Sequence, residues 1–369
     1  MPCRWWLSAT AAVLSLTSAC TTAGPGEVVS PSVGSKSPST PAQTPAVTLS
    51  CEIPFVTGDT TPLATGNGTA NGTAGFLKLP EGTFRPDPNS AIALASSNSS
   101  YQTVASPILP GQLIGDRWWD GPAGRWLPVP NQQVASNGAT YVYERGPEVH
   151  LVTVATGADR VLFRQPSGDP PLNFVLQHLF AYQGSSVYLS VNDVYKYGPV
   201  ARPPSDQVGV WQIDTGGAAP RRLLNHPVHD GLMGTDTVLW TMENQASYPT
   251  EAWALLRYDL ASGTKDAWFS DDGRNMSILG IDRAGRPIIQ NSSGIWLVTG
   301  QAAADPFYSK TNPVQPNLDL VRGGPEGRSL LTTDSHGVWL GSTTGLFLFD
   351  ATGVVKVAEM PGIPAGPCR

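Results

Sequence analysis

The chain has 369 residues, with 23 Lys+Arg against 29 Asp+Glu, a formal net charge of -6, 40% hydrophobic residues and 14% charged ones. That charged share lies far below the roughly 25% of ordinary globular domains, which argues against long solvated helices, and the lack of a basic excess excludes a general nucleic-acid binder. Few charges combined with 39 Gly and 34 Pro suit short strands joined by turns.

The N-terminus reads as an address. Arg4 is the only charged side chain before Glu27, and Leu7 to Ala19 is an uncharged apolar stretch. It is too short to cross a bilayer, which takes about 20 residues. A charged start, a short apolar core and small residues before a cleavage point describe a secretory signal peptide. Thr17-Ser18-Ala19-Cys20 resembles the lipobox of bacterial lipoproteins, with Thr17 where the family usually has Leu. The resemblance implies lipidation at Cys20 and two acyl chains, enough for stable anchoring. The membrane is then one partner. The implied location is the outer face of the cytoplasmic membrane, or the outer membrane in a Gram-negative host. Thr21 to about Leu49 holds Pro25, Pro31, Pro38, Pro41 and Pro45 among Ser, Thr, Gly and Ala. Such a segment cannot bury enough surface to offset its ordering entropy and is expected to be a disordered tether. The expected division is 1–19 signal peptide, 20–50 lipidated Cys and tether, and 51–369 folded domain.

Of four cysteines, Cys3 leaves with the signal peptide and Cys20 is the lipid site. Cys51 and Cys368 remain, at the two ends of the folded part. In an exported protein such a pair suggests a disulfide, with two free thiols as the alternative. A bridge there needs the two ends close in space, which circular folds provide.

From Gly75 onward short apolar or alternating runs are broken by turn residues, with little helical periodicity. One unit recurs: a strand with large apolar residues, then a turn of small residues, Asp and Gly. It is seen at 150–157, 210–216, 256–263, 295–300 and 346–353, with closing glycines 59, 47, 37 and 53 residues apart. A further strand precedes each, at 140–143, 186–189, 237–240, 287–290 and 337–340. A degenerate all-β period of this length predicts a β-propeller of four-stranded antiparallel sheets. The segment 337–350 resembles the repeat of two-component-regulator-type propellers, and 137–143 followed by 152–157 resembles the TolB-like and WD40-like repeat. The resemblance covers about residues 75–358 and implies fold rather than activity. Units at 75–129, 130–170, 172–225, 228–270, 276–309 and 315–358 favour six blades, with seven as the alternative if the long first unit holds more than one sheet.

Candidate chemistry is sparse. His226-Pro-Val-His229-Asp230 is the densest polar cluster and a weak metal candidate, read more readily as a solvated loop. Asp271-Asp272-Gly273 and Asp282-Arg-Ala-Gly285 lack calcium-loop spacing and read as turns. No G-x-S-x-G elbow or phosphate loop occurs, so neither catalysis nor a cofactor has positive support. Trp118 and Trp119, beside Arg117 and Asp120, could form a ligand platform or a hydrophobic plug. Tyr195, Tyr197 and Tyr248 stand in long inter-strand segments, where ligand contacts concentrate. The sequence is therefore read as a monomeric extracytoplasmic binding module for protein, peptide or glycan. A propeller enzyme, such as a metal-dependent hydrolase, lactonase or lyase, is the alternative.

Overall fold

The computed structural model describes residues 49–57, 73–90, 118–145, 148–164, 177–191, 207–226, 228, 231–244, 253–271, 276–291, 293–309, 331–342, 344–350 and 353–369. Cys20, Arg117, Tyr195, Tyr197, His229, Asp230 and Tyr248 lie outside these residues.

Every described strand pairing is antiparallel, and the strands form seven sheets. The first sheet sets Gly362–Pro364 beside Cys51–Thr57, then Thr73–Leu79 and Thr83–Pro86. The second is the hairpin Trp118–Asp120 and Arg125–Leu127, and the third holds Thr140–Arg145, Glu148–Thr153 and Asp159–Arg164. Four complete sheets follow. The fourth is Gln177–Gln183, Ser186–Val191, Gly209–Asp214 and Arg221–Leu224. The fifth is Leu232–Thr235, Val238–Asn244, Trp253–Asp259 and Thr264–Asp271. The sixth is Ser277–Ile281, Pro287–Gln290, Gly294–Gly300 and Ala303–Ser309. The seventh is Leu331–Thr333, Val338–Ser342, Gly345–Asp350 and Gly353–Ala358.

Seven apolar clusters join each sheet to the next. Leu340 and Phe347 meet Ile288 and Leu297 of the sixth sheet, while Trp339 and Leu348, one residue out of phase, meet Ile53 and Leu77 of the first. The period of two along a strand thus feeds two different interfaces. Phe76 and Val56 of the first sheet pack on Trp126 of the second, and Leu127 and Val129 pass on to Tyr143 and Val152 of the third. Equivalent clusters join third to fourth, fourth to fifth and fifth to sixth. The ring is a β-propeller. Its inner strands are buried on both faces, as in Ser186–Val191, where every residue is buried. Outer strands such as Asp159–Arg164 are largely exposed.

The described strands form seven sheets, where the sequence favours six blades and keeps seven as the alternative. The extra sheet comes from two sources. Cys51–Thr57 pairs across its whole length with Thr73–Leu79, and Gly362–Pro364 adds to its other edge. The long unit at 75–129 then divides between the first and second sheets. Leu49, placed in the tether by composition, is 6% exposed and packs beside Ile53 and Phe55.

The termini close the ring. Ala365 N–H donates to Pro54 O at 2.8 Å, and Glu52 and Arg369 exchange backbone hydrogen bonds of 3.0 and 3.1 Å. Cys51 and Cys368 are disulfide-bonded, with Cα atoms 5.8 Å apart. The approach is close enough to require glycine: a Cβ on Gly341 would lie 2.1 Å from Gly362 O. One hairpin device recurs nearby. Asn291-Ser-Ser-Gly-Ile-Trp-Leu297 and Asp334-Ser-His-Gly-Val-Trp-Leu340 share a pattern and a geometry. In each, the first residue's N–H donates to the glycine carbonyl at 3.0 Å. Its side chain accepts the indole N–H, at 3.0 Å from Trp296 and 2.7 Å from Trp339.

Connection length divides by end of the sheets. At one end the turns are short, six residues at most: 80–82, 154–158, 184–185, 215–220, 236–237, 260–263, 282–286, 301–302, 334–337 and 351–352. The other end carries the long connections 58–72, 87–117, 165–176, 192–208, 225–231, 245–252 and 310–330, beside short ones at 146–147, 272–276, 291–293 and 343–344, while 128–139 enters the third sheet at the short-turn end. The turn reading of Asp282-Arg-Ala-Gly285 is matched by Asp282 Oδ1 accepting Ala284 N–H and Arg286 N–H at 2.9 and 2.8 Å.

Replacing Cys51 and Cys368 together by Ser is expected to cost about 2–5 kcal/mol, the range for a native disulfide that restrains the unfolded chain. The denaturant midpoint measures it. An unchanged midpoint would mean that strand pairing alone holds the closure.

Candidate functional site

Four side chains meet at the junction of the fourth and fifth sheets. Glu243 lies near the end of Val238–Asn244, where the 245–252 connection departs. Tyr258 and Lys265 sit opposite one another on the next two strands. His226 belongs to the connection 225–231, which leaves the same end of the fourth sheet. Tyr258 ring carbons pack in the core between the sheets, and only its hydroxyl reaches the polar groups.

The direction of each hydrogen bond follows from donor counting. Lys265 Nζ donates to Glu243 Oε2 at 2.7 Å. Tyr258 Oη has one hydrogen and gives it to Glu243 Oε1 at 2.5 Å. His226 Nε2, 3.0 Å from Tyr258 Oη, must then be the donor in that contact. The neutral imidazole is left with Nδ1 as its acceptor, 3.3 Å from the Asn225 amide group. Burial holds His226 below its ordinary value, and the Lys265 charge acts the same way against the opposing pull of Glu243. Burial raises Glu243, but hydrogen bonds from Lys265 and Tyr258 and the Lys265 charge outweigh it, leaving a lowered carboxyl. Burial and the bond to Glu243 push the Tyr258 hydroxyl strongly upward. The result is an imidazole oriented through Tyr258 by a carboxylate two links away, with Nδ1 beside the Asn225 amide group on the long-connection end.

A second cluster has a different character. His150 is 6% exposed, with Nδ1 2.8 Å from Asp159 Oδ1 and Nε2 3.1 Å from Glu148 Oε2. Tyr143 stacks on its ring at 4.9 Å and donates to Asp159 at 2.6 Å. Glu148 also pairs with Arg164. Both ring nitrogens are engaged by carboxylates, so this imidazole is a tie between strands and offers no free base. A third group, Asp334, His336 and Cys368, brings donor atoms within 4.8 Å of one another at the ring closure.

The tryptophan platform is packed. Trp119 lies edge-on to Phe76 at 4.9 Å and to Trp126 at 5.6 Å, and the Arg369 guanidinium covers it at 4.9 Å. Trp118 packs with the cluster between the second and third sheets. Asp120 is 5% exposed and accepts Ala123 N–H at 2.7 Å. These three residues are used in the seam between sheets. Of the metal candidates His226 is described, and His229 and Asp230 lie outside the described residues. Glu243, Tyr258 and Lys265 carry no local signal, because their bonds join residues 15 to 32 apart.

No protein-family model matches the chain, and no curated protein matches its sequence. Solved structures with a similar fold include the extracellular domain of BT4673 from B. thetaiotaomicron, at 10% identity and a TM-score of 0.41, covering 81% of this chain and 40% of that one. TolB from Acinetobacter baumannii is similar at 11% identity and a TM-score of 0.40, over 85% and 65%. Oligogalacturonate lyase from Vibrio parahaemolyticus is similar at 9% identity and a TM-score of 0.41, over 79% and 88%. The chain spans less than two-thirds of the length of the first two. At such identities the likeness is one of architecture and carries no activity or ligand.

Tyr258→Phe should cost about 1–3 kcal/mol, because it strands a partly buried carboxylate and an imidazole N–H. A chemical denaturation curve reads that loss. The pH dependence has a definite sign. Both His226 and Glu243 have lowered folded values, so their contribution is present above the ordinary values of 6.5 and 4.5 and is lost as pH falls through the folded ones. Stability should therefore decline on acidification below pH 6.5, and His226→Asn should flatten the upper part of that decline. A wild-type profile as flat as that of the variant would overturn the desolvated imidazole.

Proposed function

We propose that the chain is an exported, lipid-anchored β-propeller that acts as a binding module for a protein, peptide or glycan, using the end of the ring that carries the long connections. The observation that carries the reading is the separation of connection lengths. The hairpin turns at one end have six residues or fewer, while the other end carries, among shorter ones, segments of up to 31 residues, 87–117. A rigid scaffold that concentrates long connections on one end is built to present them. Loops beyond about 12–15 residues are uncommon in compact domains and are usually functional. The N-terminal sequence supports the anchoring part of the reading through Cys20 and the composition of the segment after it.

One observation favours an enzyme as the second reading. His226 lies at that same end, oriented through Tyr258 and Glu243 with Nδ1 3.3 Å from the exposed Asn225 side chain, and an imidazole that exchanged that contact for a substrate would accept its proton.

The binding reading is tested in the native host with a photo-crosslinking amino acid at Asn225, on the long-connection end, and separately at Ser262, in a turn at the other end. Both positions are exposed. An adduct from Asn225 and none from Ser262 is the expected result. Equal yields at the two positions, or none at either, would sink the assignment of the face. The anchoring part predicts that an alkyne fatty acid fed to the host labels the wild-type chain, while Cys20→Ala abolishes the label.

A further inference from the structure

The turn at residues 334–337 has a neutral counterpart elsewhere in the ring. In the sixth sheet, Asn291 Oδ1 accepts Ser293 N–H at 2.9 Å, Ser293 Oγ–H at 2.8 Å and Trp296 Nε1–H at 3.0 Å. The seventh-sheet copy makes the same set with charged chemistry. Asp334 Oδ1 takes His336 N–H at 2.7 Å and lies 3.2 Å from His336 Nδ1, and Oδ2 takes Trp339 Nε1–H at 2.7 Å. Asn and Ser suffice for this hairpin, so the carboxylate and the imidazole exceed what the turn requires.

They stand at the closure of the ring. Cys368 N–H donates to Asp334 Oδ2 at 2.9 Å. The donor atoms of Asp334, His336 and Cys368 lie within 4.8 Å of one another. Cys51 Sγ is bonded to Cys368 Sγ, so reduction places a second thiol at the same point. The His336 side chain is 39% exposed, which gives an ion a path from solvent.

We propose that the reduced closure is a zinc site, in which the thiolates of Cys51 and Cys368, the His336 imidazole and Asp334 Oδ1 hold one Zn²⁺ and keep the ring shut before the disulfide forms. Two thiolates, one imidazole and one carboxylate complete a tetrahedral set, with Zn–S about 2.3 Å and Zn–N and Zn–O about 2.0–2.2 Å. The 3.2 Å between Oδ1 and Nδ1 suits neighbouring ligands of one such ion. Oδ2 keeps its bonds from Trp339 and Cys368, which orient the carboxylate from behind. The chain is synthesised with both thiols reduced, and metal binding releases their protons. An exchanging disulfide of a thiol oxidoreductase would then oxidise the two thiolates. The Sγ–Sγ bond forms, the oxidant takes up two electrons and two solvent protons to become a dithiol, and the zinc ion leaves.

The test uses the whole chain carrying Cys3→Ser and Cys20→Ser, so that Cys51 and Cys368 are its only thiols. It is reduced with a phosphine and titrated with Co²⁺, a spectroscopic stand-in for zinc. The expected result is a 1:1 complex with visible bands of tetrahedral cobalt and a near-ultraviolet thiolate charge-transfer band. Zn²⁺ should displace the cobalt and raise the melting temperature of the reduced chain, and the oxidised chain should show none of these effects. Asp334→Asn and His336→Ser rebuild the sixth-sheet turn and so should fold. Each should weaken cobalt binding by about tenfold or more, the scale reported for disturbed metal-site shells. Absence of the charge-transfer band at one equivalent would overturn the proposal. So would equal affinity in the two variants, which would show that the thiols bind metal without the turn.

Discussion

A sheet with two apolar faces has to be covered twice. In this chain the inner strands leave no alternative, since Val338–Ser342 is buried along its whole length and adjacent residues serve opposite interfaces. Burying one large aliphatic or aromatic side chain is worth about 1.5–3 kcal/mol, and each interface buries several. A row of such sheets would expose an apolar face at either end, and a ring exposes none. The cost is that one sheet must be assembled from both ends of the chain. Its C-terminal strand is only Gly362–Pro364. The closure is reinforced accordingly by the disulfide, by the backbone pairing of Glu52 with Arg369, and by the Arg369 guanidinium 4.0 Å above the Phe76 ring.

The parts of this design legible in the sequence are local. Turn chemistry at Asp259, whose carboxylate accepts Ala261 and Ser262 N–H with Gly263 at φ +73°, is written within five residues. So is the hairpin repeat around Trp296 and Trp339. The blade count was not written locally. Cys51–Thr57 finds its partner across 58–72, and the closing strand is three residues with a proline, too short for any period to show. Likewise His226 stood out as part of a polar cluster, whereas Tyr258 reads in sequence as one more core aromatic. Its hydroxyl acquires a role only when the fourth and fifth sheets pack. The tryptophans near residue 120 illustrate the reverse: prominent in sequence, they are spent on the seam between the first three sheets.

The two histidine clusters show how one residue type is used in opposite ways. His150 is enclosed with a carboxylate at each nitrogen, an arrangement that fixes strands. His226 is held by the Tyr258 hydroxyl at one nitrogen and meets only the exposed Asn225 amide at the other. The difference follows from position in the architecture. His150 lies within a strand, with Glu148 of that strand and Asp159 of the next at its two nitrogens, and His226 lies in a connection between two sheets. Rigid sheets thus provide the reference frame, and variation is admitted where strands end.

The disulfide also determines how the ring meets mechanical load. Any pull transmitted along the N-terminal segment meets the domain at Leu49, packed beside Ile53 and Phe55, and passes on to Cys51, the first residue of its strand. Without a crosslink, tension there would unzip the strand from Thr73–Leu79 and Gly362–Pro364 one hydrogen bond at a time, the weakest direction in which a β-ladder can be loaded. The bond from Cys51 to Cys368 sits at the first rung, where Cys51 pairs with Leu79. Force is diverted into the opposite terminus and through it into Asp334 of the seventh sheet, so two blades share it before either begins to open.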